Sequence, residues 1–338
     1  MLDIYIYGNF KLYKMLRNFT FIITFLFISF SKNLLANENE LVIGLLKYGS
    51  VNWEMDIIEN NNLDKKNNVI IKKKFFSNKN AASIALQGNA VDIIVTDWIW
   101  VSRQRAENRN YVFHPFSMSV GGIMVKHDSE ITDIKDLENK KLGIAGSSID
   151  KSWLLFRAYS NKNIRKDPIK FLKPTYAAPP LLNELILRNE IDAVLNYWHY
   201  NSRLKSQGFR ELITVENILK DLGIKTKIPA YGWVFSEKFA KKNTELINNF
   251  LNASNEAKKI MLSSESEWER IFPLTKAKDR TTLINLRDAY RNGIPLNFGN
   301  NEIEETKKIF KILAKYGGRD LVGKKDEISP GTFFLKKE

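Results

Sequence analysis

The chain has 338 residues, 44% of them hydrophobic and 12% aromatic. That is ample for a packed core in two ordinary domains or one large one, and it excludes global disorder. The absence of cysteine excludes disulfides, thiolate metal sites and cysteine nucleophiles, and leaves the compartment open. The net charge of +14 raises nucleic acid as a partner. However, the lysines are spread along the chain, and the basic runs Lys65–Lys66 and Lys72–Lys74 lack interleaved aromatics, so a solvated basic surface is expected.

From Met15 the chain has a basic residue, Arg17, an apolar run Phe19–Phe30, and a polar segment closing on Ala36. This is the order of a secretory signal, and the run is too short to span about 30 Å of hydrocarbon. Residues 1–36 are therefore expected to be removed, with Met15 the true start. An uncleaved anchor is the alternative, because Leu34 sits where a smaller residue is preferred. The product is expected to be soluble, exported to the periplasm and monomeric.

Strand-length apolar runs then alternate with helix-length segments. LVIGLL (41–46) reads as a strand, followed by a helix through about Glu59. VIIKKKFF (69–76) is a strand, Asn80–Gln87 a helix closing on Gly88, VDIIV (91–95) a strand and Asp97–Asn108 a helix. YVFHPFSMSVGGIMVKHD holds two extended stretches with no helix between them. A second series repeats the first: strand KLGIA (141–145), helix Asp150–Tyr159, strand IKFLKP (169–174), helix Pro180–Asn189, strand IDAVL (191–195) and a helix from Trp198. An extended run, Ile228–Phe235, is followed only by helices, including Glu237–Met261 and Glu302–Tyr316.

The repetition extends to residues. Val91–Arg105 and Ile191–Lys205 align without a gap, matching Asp92, Trp98, Ser102 and Arg103 to Asp192, Trp198, Ser202 and Arg203. The pattern predicts an α/β protein of two lobes, each a mixed, mostly parallel sheet. Two crossing segments near 118–126 and 225–233 form the hinge. Lobe 1 is expected to span 37–124 and 228–338, and lobe 2 125–227.

Several units resemble the periplasmic solute-binding proteins of ABC importers. They are the helix–Gly88–Val91-Asp92–strand–Thr96 unit, the run DIKDLENKKLGIA (133–145), and the strand–Gly146-Ser147-Ser148–helix unit. With the export signal, they are most similar to the taurine/nitrate/sulfonate branch, which includes thiamine-pyrimidine-precursor binders. The resemblance covers roughly residues 40–330 and implies the type 2 periplasmic binding protein fold. It also implies capture of a small solute for an ABC permease. A pyrimidine-synthesising enzyme is similar in fold to some members, but it uses a histidine- and cysteine-rich set; this chain has three histidines and no cysteine.

In open α/β sheets ligands bind beyond the carboxyl ends of the strands. The expected ligand-binding residues are Lys47, Tyr48, Ser77, Thr96, Asp97 and Trp98 in the first lobe. In the second they are Gly146, Ser147, Ser148, Tyr176, Asn196, Tyr197, Trp198 and His199; Ser119 and Trp233, with Tyr231 beside it, come from the crossings. The serines at 147–148 suit an anion at a helix start, or cap that helix. Trp98 and Trp198 suit an aromatic or cationic group, or belong to the core. Asp97 suits an ammonium, or caps its helix. Thr96-Asp97 is expected to face Asn196-Tyr197, with Trp100 answering Tyr200, an acidic wall opposite a neutral aromatic one. The solute is expected to be an amino-sulfonate, a carboxylate or pyrimidine-like. Arg103 and Arg203 are expected at sheet edges or in solvent, and Asp92 and Asp192 on the preceding helix ends. No histidine pair has metal-ligand spacing, so neither metal nor cofactor is expected. There is no nucleophile elbow, phosphate loop or dinucleotide fingerprint, so a binder is expected ahead of an enzyme or a ligand-sensing module.

Overall fold

The computed structural model describes residues 39–335. The signal segment lies outside them. The first series runs β1 (Glu40–Leu46), α1 (Ser50–Asn60), β2 (Ile70–Phe76), α2 (Lys79–Gln87), β3 (Ile93–Thr96), α3 (Trp98–Ala106) and β4 (Tyr111–Ser117). The second runs β5 (Gly122–Lys126), β6 (Lys141–Ala145), α4 (Lys151–Ile164), β7 (Lys173–Ala177), α5 (Pro179–Leu187), β8 (Ala193–Asn196), α6 (Trp198–Lys205), β9 (Phe209–Thr214) and α7 (Val215–Asp221). After β10 (Tyr231–Ser236) come α8 (Glu237–Lys242), α9 (Thr244–Ser263), two short helices, α10 (Arg280–Asn292) and α11 (Asn300–Val322).

Among the described residues there are two mixed five-stranded sheets, ordered β2-β1-β3-β10-β4 and β7-β6-β8-β5-β9. The two orders are the same pattern. In each, a strand delivered by a crossing segment runs antiparallel to both neighbours: β10 between β3 and β4, β5 between β8 and β9. The central strands β3 and β8 are apolar and buried, because helices cover the faces of a largely parallel arrangement. The edge strand β2 instead exposes Lys72–Lys74, which discourages pairing with another chain.

The doubled stretch occupies the same place in each sheet, as β3–α3 and β8–α6. Asp92 and Asp192, expected at the preceding helix ends, each bond the start of the neighbouring strand. Asp92 Oδ2 accepts from Val42 N–H at 2.8 Å, and Asp192 Oδ2 from Lys141 N–H at 2.7 Å. Each aspartate also donates its own N–H to the carbonyl of that residue. It thereby closes a parallel ladder where the neighbouring strand begins and would leave a free donor.

Three elements depart from expectation. The strand placed at 169–174 lies at Lys173–Ala177, because Asp167 caps a 3₁₀ turn, Pro168–Lys170, with proline at its first position. The strand β9 and the helix α7 follow a polar-apolar mixture that carries no clear period. The helix predicted at 237–261 is broken at Asn243, which ends α8 and starts α9.

The crossing Met118–Gly121 passes close to β8. A Cβ on Gly121 would lie 1.7 Å from the Asn196 carbonyl oxygen, so only glycine fits. The last helix, α11, packs on both α3 and α4. One apolar cluster consequently runs from Trp98 and Phe113, through Ile309, Phe310 and Leu313 of α11, to Trp153 and Leu142. Among the described residues no helix is long and apolar enough to cross a membrane.

Candidate functional site

A cavity of about 380 Å³ lies between the two sheets, beyond the carboxyl ends of their strands. The opening residues of all six helices α1 to α6 reach its wall: Ser50, Lys79, Trp98, Lys151, Pro179 and Trp198. This follows from the β-then-α order, since each strand end hands over to a helix start on the same side. Helix dipole ends converge there, and the starts of α1, α5 and α6 carry no side-chain cap, so their first-turn N–H groups are open to an anion.

The charged end is built from both sheets. Lys151 Nζ, at the start of α4, donates to Asp97 Oδ2 at 2.8 Å, at the start of α3. Asp97 Oδ1 meanwhile caps α3 by accepting from Trp100 N–H at 3.0 Å. Lys79 Nζ donates to the Tyr231 hydroxyl at 3.1 Å, and both lysine ammonium groups lie over the Tyr231 ring, at 4.4 and 5.5 Å. Burial alone would raise the Asp97 carboxyl, but Lys151 and Lys79 hold it below its ordinary value. Burial alone would lower the Lys151 ammonium, yet Asp97, Tyr231 and Asp150 carry it above. Asp150 caps α4 through Ser152 and Trp153 N–H, and accepts from the Tyr197 hydroxyl at 3.3 Å. Burial lifts its carboxyl above the usual range despite Lys151 beside it. Burial, followed by Asp150, pushes the Tyr197 phenol up. The wall expected to be acidic is thus neutralised by a lysine from across the cavity.

An aromatic side adjoins it. Trp198 meets Trp53 edge-on at 6.2 Å and lies 6.4 Å from Tyr290, both on the first-sheet side. His199 stacks obliquely on Tyr200 at 4.4 Å. Burial, then the Arg203 cation, lowers His199 to about 4, so the ring is neutral at neutral pH. The native state therefore prefers neutral His199, and this stabilisation is complete above pH 6.5, the ordinary value, and is lost as pH falls toward about 4. Melting temperature should fall as pH is lowered across that window, and His199→Gln should flatten that part of the fall. An unchanged profile would remove His199 from the account.

Of the residues expected from sequence, Tyr48, Trp98, Ser119, Tyr197, Trp198, His199 and Tyr231 line the cavity. Asp97 adjoins it through Lys151. Trp98 is only 4% exposed, with its indole N–H bonded to the Pro229 carbonyl at 3.0 Å, so most of the ring is core. Trp233 is fully buried against Phe116 and Phe250, and its N–H bonds Ser254 Oγ; it is not on the wall. Asn196 spends its amide on Pro179 O and Asn183 Oδ1 and its oxygen on Tyr197 N–H, which fixes the entry to α5. Thr96 is buried, and Lys47 and Ser77 are exposed away from the wall. Ser147, Ser148 and Tyr176 do not line the cavity, while Gly146 abuts it, a Cβ there lying 3.3 Å from the Tyr197 hydroxyl. Neither serine caps α4, because Asp150 does. Tyr176 packs edge-on against Trp153. Arg103 and Arg203 bond carbonyls of the C-terminal segments, at Leu321 and Thr275.

Sequence reasoning missed Lys79, Lys151 and the contribution of α11. The two lysines each begin a helix after a strand end, the same rule that selected Trp98 and Trp198. Among the described residues no cluster of three or more His, Asp or Glu side chains is arranged to hold a metal ion.

This architecture is the type 2 periplasmic binding protein fold. The structure superposes on the periplasmic aliphatic sulphonate binding protein SsuA from Escherichia coli with a TM-score of 0.67 at 19% identity, covering 86% of this chain and 95% of that one. It superposes on the alkanesulfonate-binding protein SsuA from Xanthomonas axonopodis pv. citri, bound to MOPS, with a TM-score of 0.64 at 13% identity, covering 88% and 98%. The ligand-binding component of an ABC-type import system from Staphylococcus aureus, with zinc bound, gives 0.62 at 12% identity, covering 87% and 97%. The family model described as NMT1/THI5 like matches residues 69–267. The chain belongs to that family. No curated protein matches its sequence.

Proposed function

We propose that the protein is the extracytoplasmic solute-binding component of an ABC importer, capturing a small organic anion or zwitterion between its two lobes and delivering it to an inner-membrane permease. The observation that carries this reading is the cavity itself. Six helix starts, two lysines and an aromatic side converge on one small space between two sheets. Sulfonates, carboxylates and pyrimidine-like solutes fit that chemistry, and the transporter binding proteins of the same fold support a carrier over a catalyst. Lobe 1 would comprise 37–124 and 228–338, and lobe 2 125–227, with α11 leaning on both. Periplasmic residence and a monomeric state complete the proposal, with no role for nucleic acid.

A thermal-shift screen of sulfonates, carboxylates, amines and pyrimidines tests it. A cognate solute should raise the melting temperature in proportion to the logarithm of its excess over Kd. Lys151→Met should weaken that solute by about 1.5–3 kcal/mol, the usual worth of a hydrogen bond to a charged group. Stabilisation by no member of the screen would count against the proposal.

A further inference from the structure

We propose that Tyr231 is the positioning residue of the site, holding Lys79 and Lys151 over one aromatic ring so that an anionic group meets two ammonium ions already in place. This rests on the solute-binding reading above and adds how the charged end is kept in order.

The three residues come from three different elements. Lys79 starts α2 in the first series, Lys151 starts α4 in the second, and Tyr231 starts β10. All three line the cavity. Lys79 Nζ lies 4.4 Å from the centre of the Tyr231 ring and Lys151 Nζ 5.5 Å, both within reach of a cation–π contact. The Tyr231 hydroxyl accepts a further hydrogen bond from Lys79, and Asp97 accepts one from Lys151. Two ammonium groups gathered on one ring repel each other, and the ring face with the Asp97 carboxylate offsets that repulsion.

The ring is set by its own backbone rather than by the lysines. Pro229 O accepts from the Trp98 indole at 3.0 Å, and Ala230 N–H donates to Ser117 O at 2.8 Å. Tyr231 then pairs with Ser117 but Gly232 with Pro115, which leaves Phe116 as the extra residue of a β-bulge. Such a slip re-aims the side chains beside it. Gly232 lets the strand pass, since a Cβ there would lie 2.4 Å from the Phe113 ring and 2.5 Å from His114 O. Each lysine, by contrast, is a flexible stem whose ordering costs free energy when a ligand binds. A ring fixed by its strand removes much of that cost before the solute arrives.

Proton–carbon NMR of the full chain with labelled lysine, and calorimetric titration with ethanesulfonate and acetate, test this. In the free protein the ε-methylenes of Lys79 and Lys151 should be shifted upfield by the ring. Each resonance is identified by its loss in Lys79→Met or Lys151→Met. Tyr231→Leu should return both to the ordinary lysine position, whereas Tyr231→Phe, which keeps the ring, should leave them shifted. Tyr231→Leu should weaken the better-bound probe about tenfold, and Tyr231→Phe about threefold or less. Lys79→Met combined with Tyr231→Leu should lose less than the product of the separate losses, because one residue acts through the other. Ordinary lysine shifts in the parent, or equal affinity in Tyr231→Leu and the parent, would overturn the role of Tyr231 while leaving solute binding intact. Failure of both probes to bind the parent would overturn the anionic head-group reading, and this proposal with it.

Discussion

Lys258→Met is expected to destabilise the protein by about 3–5 kcal/mol, because it strands a buried carboxylate. Lys258 Nζ lies 2.8 Å from Glu54 Oε2, with side-chain exposures of 5% and 0%. Glu54 also accepts from Ser254 Oγ at 2.5 Å and from the Tyr290 hydroxyl at 3.2 Å, and Trp233 donates to Ser254. Burial keeps the Lys258 ammonium below its ordinary value despite Glu54, and taking two charges out of water generally costs about what their attraction returns. The pair is therefore a poor source of net stability, and removing both charges should undo most of the damage. Glu54→Leu with Lys258→Met should return to within about 1–2 kcal/mol of the parent, whereas the single change should not. Urea unfolding of the three proteins decides it; a single variant indistinguishable from the parent would show that water reaches Glu54. The network also bears on the cavity. Lys258 sits 4.8 Å from the ring of Phe116, which lines the space, and Tyr290 packs against Trp198.

Trp98→Ala and Trp198→Ala are expected to fail in different ways, although the two residues match in the doubled stretch. Trp98 is a core residue that reaches the wall with its edge, holding Pro229 of the second crossing and Phe310 of α11. Its truncation should cost about 3–5 kcal/mol of stability, the range for large aromatic losses in packed interiors. Trp198 is half-buried, and its ring bridges from the second-sheet side onto Trp53 and Tyr290. Its truncation should leave a folded protein that binds solute more weakly by about 1–3 kcal/mol, by analogy with measured aromatic stacking. Paired unfolding and binding curves for each variant separate the cases. Equal losses of stability with unchanged affinity would make both tryptophans purely structural.

The fold was legible because its signals are local. Alternating strand and helix lengths, the repeated third strand and the helixless stretch at 111–128 each name one step of the topology. Both sheets then follow from the rule that strands with helical crossovers pair in parallel. The site was legible only by position. Strand ends pointed to Tyr48, Tyr197, Trp198 and His199, which do reach the cavity. The same rule carried no information on which side chains turn inward, so Trp233 and Asn196 were drawn in, although core packing and the capture of a helix entry consume them. Lys79 and Lys151 were hidden among 52 basic residues, since nothing local distinguishes a lysine facing a cavity from one facing solvent. The pairing of Lys151 with Asp97 spans 54 positions, and Ile309 meets the site only through tertiary packing. No periodicity encodes either.

If the protein is a carrier, one small solute binds reversibly in this cavity and leaves unchanged. Calorimetric titration with the best solute from the thermal screen, followed by mass spectrometry of the recovered solute, tests it most directly. One molecule should bind per chain and be recovered unaltered, with affinity reduced in Lys151→Met and in Trp198→Ala. Chemical conversion of the solute, or full affinity in both variants, would contradict it.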